Sequence, residues 1–534
     1  MEKTRSKSYT LPIDDGYLRK NWIWIYLEKV LASFRSARAG LLLGAGFVLF
    51  LALVQFSTPD LPGNDGYYHI KLAYLMRTEG FLPDFPWLPL SILNPREFYD
   101  HHFLFHVFLT PFTFGDLRLG AKWAAVLFAS LAFLSIWNLL KNQRIPYAWL
   151  WAIGLAGVSE AFIYRMSITR AQSLSLMVLM VSLDWLLRKK YKRLAFLAFF
   201  YVWLYNAFPL LLFVAGIYSL STWLVDRRLE LRPVFFTAAG IGLGLIINPY
   251  FPYNIVFAGL HILPKLIETT SVSVGNEWYP YETTQLLENS LFALVASVSG
   301  ALALGMSGKR MDLRTAFSFL LACLFGLMLF QSRRFIEYFP AFALVFAVFA
   351  WTPLILERSK FELADGQGSR FARFGWLRVN LVKSIPGLVL MALIIPGILR
   401  TFPASKSSLQ ESKPYETYAG ASAWLAANTP PGARVFQTDW DDFPRLFYYN
   451  THNTYLIGLD PTYMQLYDQD LYSLWEDITQ GEVERPSLAI REGFGAEYII
   501  SDLRHAGFLE SAAEDPELVE VYKDKDAVIF QVSD

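Results

Sequence analysis

Long apolar runs and short polar intervals alternate from residue 39 to about residue 400. A helix rises 1.5 Å per residue, so runs of this length suit a hydrocarbon core about 30 Å thick. The pattern predicts spans at 39–57, 118–140 and 146–163, and a fourth ending before Arg188. A tight fifth and sixth pair surrounds Asn206-Ala207-Phe208-Pro209, and a seventh covers 233–248. The eighth, ninth and tenth end near Lys309, Gln331 and Glu357, and the eleventh covers 384–400. Spans five and six are short, and 251–263 fits a re-entrant segment, so the expected count is eleven to thirteen.

Beyond Thr401 no run is long enough to span, and the period changes. Tyr418 to Asn428, Gln465 to Asp477 and Ser487 to Gly493 read as helices. Arg434 to Thr438, Thr454 to Leu459 and Tyr498 to Ser501 read as strands. Val519–Tyr522 and Ala527–Val532 suggest a closing hairpin. The expected architecture is therefore an α-helical polytopic membrane protein with a C-terminal α/β domain. Its parts are a segment 1–38, a transmembrane domain 39–400 with a long first loop at 58–116, and a soluble domain 401–534.

Composition agrees. The chain of 534 residues is 54% hydrophobic and 18% charged, against about 25% charge in soluble domains. Its single cysteine, Cys323, excludes an intrachain disulfide and cysteine-based metal sites. No nucleic-acid partner is expected, and the formal charge is zero. The distribution of charge says more. Lys3, Arg5, Lys7, Arg19 and Lys20 precede the first span, and Arg188-Lys189-Lys190 and Arg227-Arg228 follow the fourth and sixth. The positive-inside rule puts these on the cytoplasmic side. An odd span count then puts the C-terminal domain outside. Trp22 to Phe34 is amphipathic and fits an interfacial helix or a short soluble one. No cleavable signal is read, so the first span is expected to stay as an anchor.

Candidate chemistry falls on the expected outer side. Asp65 follows a span end and suits a general base or a ligand of a hard divalent cation. It also suits an N-cap of a helix beginning near Tyr67. Asp100, His101 and His102, with His106 one turn on, could present imidazoles to a metal or phosphate, or could simply pack. Glu277 lies beside Trp278 and Tyr279, where its pKa could rise, unless it is an ordinary loop glutamate. Arg165, Arg170, Arg333 and Arg334 are basic groups on the side that should lack them. They suit a phosphate or pyrophosphate, or snorkelling at the interface. Trp440, Asp441 and Asp442 suit stacking on a sugar or peptide, or a turn.

Together these residues resemble the GT-C superfamily of membrane glycosyltransferases. The likeness is nearest to oligosaccharyltransferase catalytic subunits and weaker to protein O-mannosyltransferases. Asn64-Asp65-Gly66-Tyr67-Tyr68-His69 resembles the family's first-loop acidic motif. Val274-Gly275-Asn276-Glu277 resembles its later outer-loop motif, and Trp440-Asp441-Asp442-Phe443 resembles its Trp-Trp-Asp-Tyr-Gly motif. The loop Tyr164 to Gln172 has no acid where the family has its second one, and an Asp-His-His stands at 100–102 instead. The resemblance implies a glycosyltransferase using a polyprenyl-phosphate-linked sugar and a protein or glycan acceptor. It implies Asp65 and Glu277 as catalytic residues and the four arginines as donor-phosphate ligands. Trp440, Asp441 and Asp442 would bind the acceptor. A divalent metal, Mg or Mn, would sit on Asp65, Asp100 and His102. The expected location is a prokaryotic plasma membrane. The other readings are a lipid or sugar transporter or flippase, and a non-catalytic scaffold. Few mid-span charges and no inverted repeat speak against transport.

Overall fold

The computed structural model describes residues 37–262, 275–365 and 372–533, with backbone alone at 358–365 and 372–384. The N-terminal basic segment, the Trp22–Phe34 amphipathic stretch and Val274 lie outside the described residues.

Among the described residues, seven helices are long and apolar enough to cross a membrane. They are Ala37–Gln55, Leu117–Asn142, Pro209–Asp226, Thr283–Ser307, Leu313–Gln331, Phe339–Glu357 and Ile385–Gln410. These match seven of the eleven expected spans. The fourth, fifth and seventh are helices Gln172–Leu187, Lys192–Leu204 and Arg232–Ile246, each shorter than 18 residues. The third is broken into Ala148–Ile153, a 3-10 turn Gly154–Gly157 and Glu160–Ser167. The segment that hydropathy left open is a short helix, Tyr253–Phe257, followed by a π turn. Leu41, Leu42, Leu327 and Leu399 are at least 70% exposed. Such apolar belts are stable when lipid covers them, and the chain is an integral membrane protein.

Close helix contacts depend on small residues. Gly240 and Gly244, spaced Gly-x-x-x-Gly, bring Arg232–Ile246 against Lys192–Leu204. A Cβ at Gly240 would lie 2.2 Å from the Ala195 carbonyl oxygen. Trp203 Nε1 donates to the Gly244 carbonyl at 3.0 Å across the same seam. Without a hydrophobic drive between helices in lipid, this approach is what holds the pair.

The break that matters for the site separates Glu160–Ser167 from Gln172–Leu187, which meet at 111°. Ser159 caps the first, accepting from Phe162 N, and itself donates to the Asn289 carbonyl at 2.6 Å. Thr169 Oγ1 donates to the Ala121 carbonyl, which fastens the break to the neighbouring span.

The C-terminal sheet has the order β2-β1-β3-β5-β4, with β1 Arg434–Gln437, β2 Thr454–Tyr455, β3 Tyr498–Asp502, β4 Leu518–Lys523 and β5 Ala527–Val532. β1 runs parallel to β2 and β3, and the β4–β5 hairpin adds an antiparallel edge. The expected 465–477 helix is two helices, Thr462–Tyr467 and Gln469–Gln480, because Asp468 caps a second start. The first loop contributes to this domain's core. Phe85 and Trp87 pack with Phe443, Phe447 and Tyr455, and Trp87 Nε1 donates to the Thr451 carbonyl at 2.9 Å. The helix entering the domain continues to Gln410, past the expected change at Thr401.

The Gly240 seam makes a prediction with an internal control. Gly240→Ala should destabilise the detergent-solubilised protein by roughly 1–3 kcal/mol, the usual range for overpacking. Gly242→Ala, on the same helix with nothing within 4 Å, should be neutral or slightly stabilising. Thermal unfolding of both variants checks the pair.

Candidate active site

The site begins where Gly63, at φ +69°, turns the chain into helix Asp65–Glu79. That backbone region is open to glycine at little cost. Asp65 is the first helical residue, and Asn64 precedes it without making a side-chain cap bond. The cap reading of Asp65 therefore falls, and the helix starts two residues before the expected Tyr67. Asp65 sits in the first turn, where exposed N–H groups favour an anion.

Arg170, carried by the 111° break, reaches over this helix end. Its Nε lies 2.8 Å from Asp65 Oδ2, and its Nη1 lies 3.2 Å from Glu277 Oε2. One guanidinium thus joins two carboxylates 212 positions apart in the chain. Arg165 Nη2 donates to Glu277 Oε2 at 2.6 Å and to Glu337 Oε1 at 2.5 Å. Arg334 Nη1 donates to Glu277 Oε1 at 3.0 Å, and its Nη2 to the Tyr205 hydroxyl at 2.9 Å. Three cations therefore face three carboxylates. Burial alone would raise the Glu277 pKa, as expected from the sequence. Arg170, Arg165 and Arg334 reverse this and hold its carboxyl well below the usual range.

Arg333 does not join them. Its Nε donates to the Pro280 carbonyl at 3.1 Å and its guanidinium lies over the Tyr281 ring. Glu337, which sequence reasoning missed, takes a place in the cluster. The turn Ser332-Arg333-Arg334-Phe335-Ile336-Glu337 carried its only signal, an acid closing a basic turn.

The C-terminal domain closes the other side. Trp440–Asp442 is a 3-10 turn, with Asp439 capping it. Asn64 Nδ2 donates to Asp441 Oδ2 at 2.6 Å and to the Asp441 carbonyl at 3.0 Å. Arg445 Nε donates to Asn64 Oδ1 at 2.9 Å, and its guanidinium stacks 4.3 Å from the Tyr67 ring. A Cβ on Gly275 would meet the Trp440 ring at 3.6 Å. The three motif segments around residues 65, 277 and 441 thus converge.

Asp100, His101 and His102 do not form one face. His106 Nδ1 lies 2.7 Å from Asp100 Oδ2, and His69 Nδ1 lies 2.7 Å from His106 Nε2. His102 stacks on Tyr205 at 5.3 Å, and His101 stacks on Phe257 at 5.1 Å. Burial pushes the His101 pKa down to about 3.

The expected metal set of Asp65, Asp100 and His102 is corrected by these partners. Asp65 is committed to Arg170, Asp100 to His106, and His102 to an aromatic stack. A divalent cation on Asp65 would also face the Arg170 guanidinium, so the residues there do not fit one. Among the described residues, one acidic group is close enough to share a metal ion: Asp439, Asp442 and Asp502, with ligand oxygens within 4.8 Å of one another. Arg504 and His505 bond Asp502, and the Tyr418 hydroxyl donates to Asp442.

The chain matches no protein-family model and no curated protein. Solved structures do resemble it. The apo oligosaccharyltransferase of Archaeoglobus fulgidus superposes with a TM-score of 0.63 at 13% identity, over 89% of this chain and 71% of that one. ArnT from Cupriavidus metallidurans, bound to undecaprenyl phosphate, gives 0.52 at 14%, over 92% and 97%. The mycobacterial arabinofuranosyltransferase AftD gives 0.53 at 16%, over 93% of this chain and 42% of that one. The likeness shows the fold: the chain shares its architecture with these solved structures, with the highest TM-score of the three to the Archaeoglobus oligosaccharyltransferase.

Proposed function

We propose that this protein is a membrane glycosyltransferase. It moves a sugar or oligosaccharide from a polyprenyl-phosphate-linked donor to a protein or glycan acceptor on the extracytoplasmic face. The observation that carries this reading is Arg170, shared at 2.8 and 3.2 Å between Asp65 and Glu277. It joins a carboxylate able to accept a proton to a set of arginines able to hold a phosphate. Related support comes from the fold's neighbours. An Archaeoglobus fulgidus oligosaccharyltransferase structure carries a dolichol-phosphate, and another carries an acceptor peptide with an NVT sequon.

In this reading the donor phosphate takes the place of Glu277 on Arg334 and Arg170, with Arg165 alongside. Guanidinium–phosphate contacts are bidentate and charge-assisted. Glu277, released, turns to the acceptor held by Trp440, Asp441 and Asp442. Asp65 takes the acceptor's proton as its nucleophilic atom attacks the anomeric carbon. The arginines then stabilise the charge that develops on the leaving phosphate. No step passes through a metal at Asp65.

Asp65→Asn keeps the shape and removes the proton acceptor. Since Asp65 is not the cap, the loss to helix stability should be small, within about 1 kcal/mol for a first-turn charge. Transfer from a labelled lipid-linked sugar should fall by roughly 10²–10⁴-fold. Activity near that of the unmutated protein would make Asp65 structural.

Arg334 and Arg333 are neighbours with opposite expected outcomes. Arg334→Gln should weaken binding of polyprenyl phosphate by about tenfold or more, the worth of a charge-assisted hydrogen bond. Arg333→Gln should leave it unchanged. Titration of both variants with undecaprenyl phosphate reads the difference.

The acceptor side should depend on pH. Burial, then neighbouring acids, raises the pKa of Asp441 and of Asp442 to about 7, from 3.8. Their native carboxyls bind protons that the unfolded chain has released. Their stabilising contribution is full below about pH 4 and fades as pH rises through 7. The domain should therefore lose stability from pH 5 to pH 8. Asp441→Asn should flatten that slope, as measured by denaturant unfolding across the range.

A further inference from the structure

We propose that Asp100, His106 and His69 form a buried proton relay behind Asp65, with His69 Nε2 as its receiving end. The inference rests on the glycosyl-transfer reading and names further residues for it.

The three groups are joined by two contacts of 2.7 Å, Asp100 Oδ2 to His106 Nδ1 and His106 Nε2 to His69 Nδ1. All three are at least 96% buried. The direction of the hydrogen bonds follows from donor counting. A carboxylate can only accept, so His106 carries its proton on Nδ1 and donates it to Asp100. His106 Nε2 then holds a lone pair and accepts from His69 Nδ1–H. His69 is left with its lone pair on Nε2. Two tautomers are thereby set by one buried carboxylate. A neutral imidazole with a free lone pair is a general base in its working form.

The relay ends at the site. His69 lies one helical turn after Asp65, a spacing that puts both side chains on the same helix face. Burial, then the neighbouring His106 and Arg170, hold the His69 pKa well below the usual imidazole range, so the ring rests neutral, in its base form. Asp65 is about a third exposed, whereas His69 is 4% exposed behind it. An imidazole behind it offers the proton a further place to go. The acceptor's proton passes to Asp65 and on to His69 Nε2. The bond from acceptor to anomeric carbon forms as the bond from carbon to phosphate oxygen breaks. The electron pair of that bond leaves with the polyprenyl phosphate. As His69 charges, its Nδ1 proton moves to His106 Nε2, and the imidazolium rests beside the Asp100 carboxylate.

The test uses the full chain in nanodiscs. His69→Gln should lower turnover by roughly 10²–10⁴-fold, the range for general acid–base catalysis, with undecaprenyl-phosphate affinity unchanged. Asp100→Asn, which keeps the shape, should lower turnover with the same unchanged affinity. Nitrogen-15 NMR of labelled histidines should show His69 and His106 as Nδ1–H tautomers in the unmutated protein. It should show a mixture of tautomers in Asp100→Asn. Unmutated turnover in His69→Gln would overturn the relay. So would equal losses of turnover and lipid binding in Asp100→Asn, which would mark the trio as structural. Nε2–H tautomers in the unmutated protein would overturn it on their own. Failure of the function itself looks different: an unmutated protein that transfers sugar from no lipid-linked donor, with variants equally silent.

Discussion

Everything at the site depends on how buried charge is balanced. Arg170, Arg165 and Arg334 sit at the end of an apolar bundle, where an unpaired charge is expensive to desolvate. Their carboxylate partners come from three separate segments, at residues 65, 277 and 337, and Arg170 itself comes from the helix break at 168–171. None of these segments can move far without stranding a charge. Removing the deeply buried Glu337, 2% exposed, should cost about 3–5 kcal/mol, as for buried ion pairs generally, whereas Asp65, a third exposed, contributes less. The 111° bend is the backbone consequence. A straight helix through 160–187 would carry Arg170 along the span, away from the end of the Asp65 helix.

The same logic extends to the C-terminal domain. Asn64 makes no cap because its side chain is engaged from the far side, by Asp441 and Arg445. Arg445 is 1% exposed, and its remaining donors go to the carbonyls of Pro414 and Lys413. The domain therefore grips the residue that precedes the candidate base. Phe85 and Trp87 from the first loop sit in the domain's own core, so loop and domain form one packed unit over the bundle.

Hydropathy made the long spans legible because lipid imposes one rule on every residue of them. Leu117–Asn142 needs no partner to be recognised. The bent and short helices were less legible, since their ends are set by contacts such as Ser159 to Asn289 and Thr169 to Ala121, which no local pattern records. Asp65, Glu277 and the tail acids were visible as polar groups in the wrong surroundings. Their use was not. Glu277 among aromatics suggested a raised pKa, and three distant arginines give the opposite. The Asp-His-His run suggested a shared metal, but its aspartate is taken by His106 and its histidines by Tyr205 and Phe257. The partners of Asn64, His69, Glu337 and Arg445 were not legible, because each is remote in sequence.

Arginines where the resembled family has an acid change what the site must do. Acids around a phosphate need a cation between them and it. Guanidiniums neutralise the phosphate directly, and here they hold the Glu277 carboxyl well below its usual range. Asp65 gains a fixed position from Arg170. On the proposed function, a phosphate arriving on Arg170 would share the guanidinium with Asp65 and loosen that hold. Donor recognition and the position of Asp65 would then be coupled through one side chain.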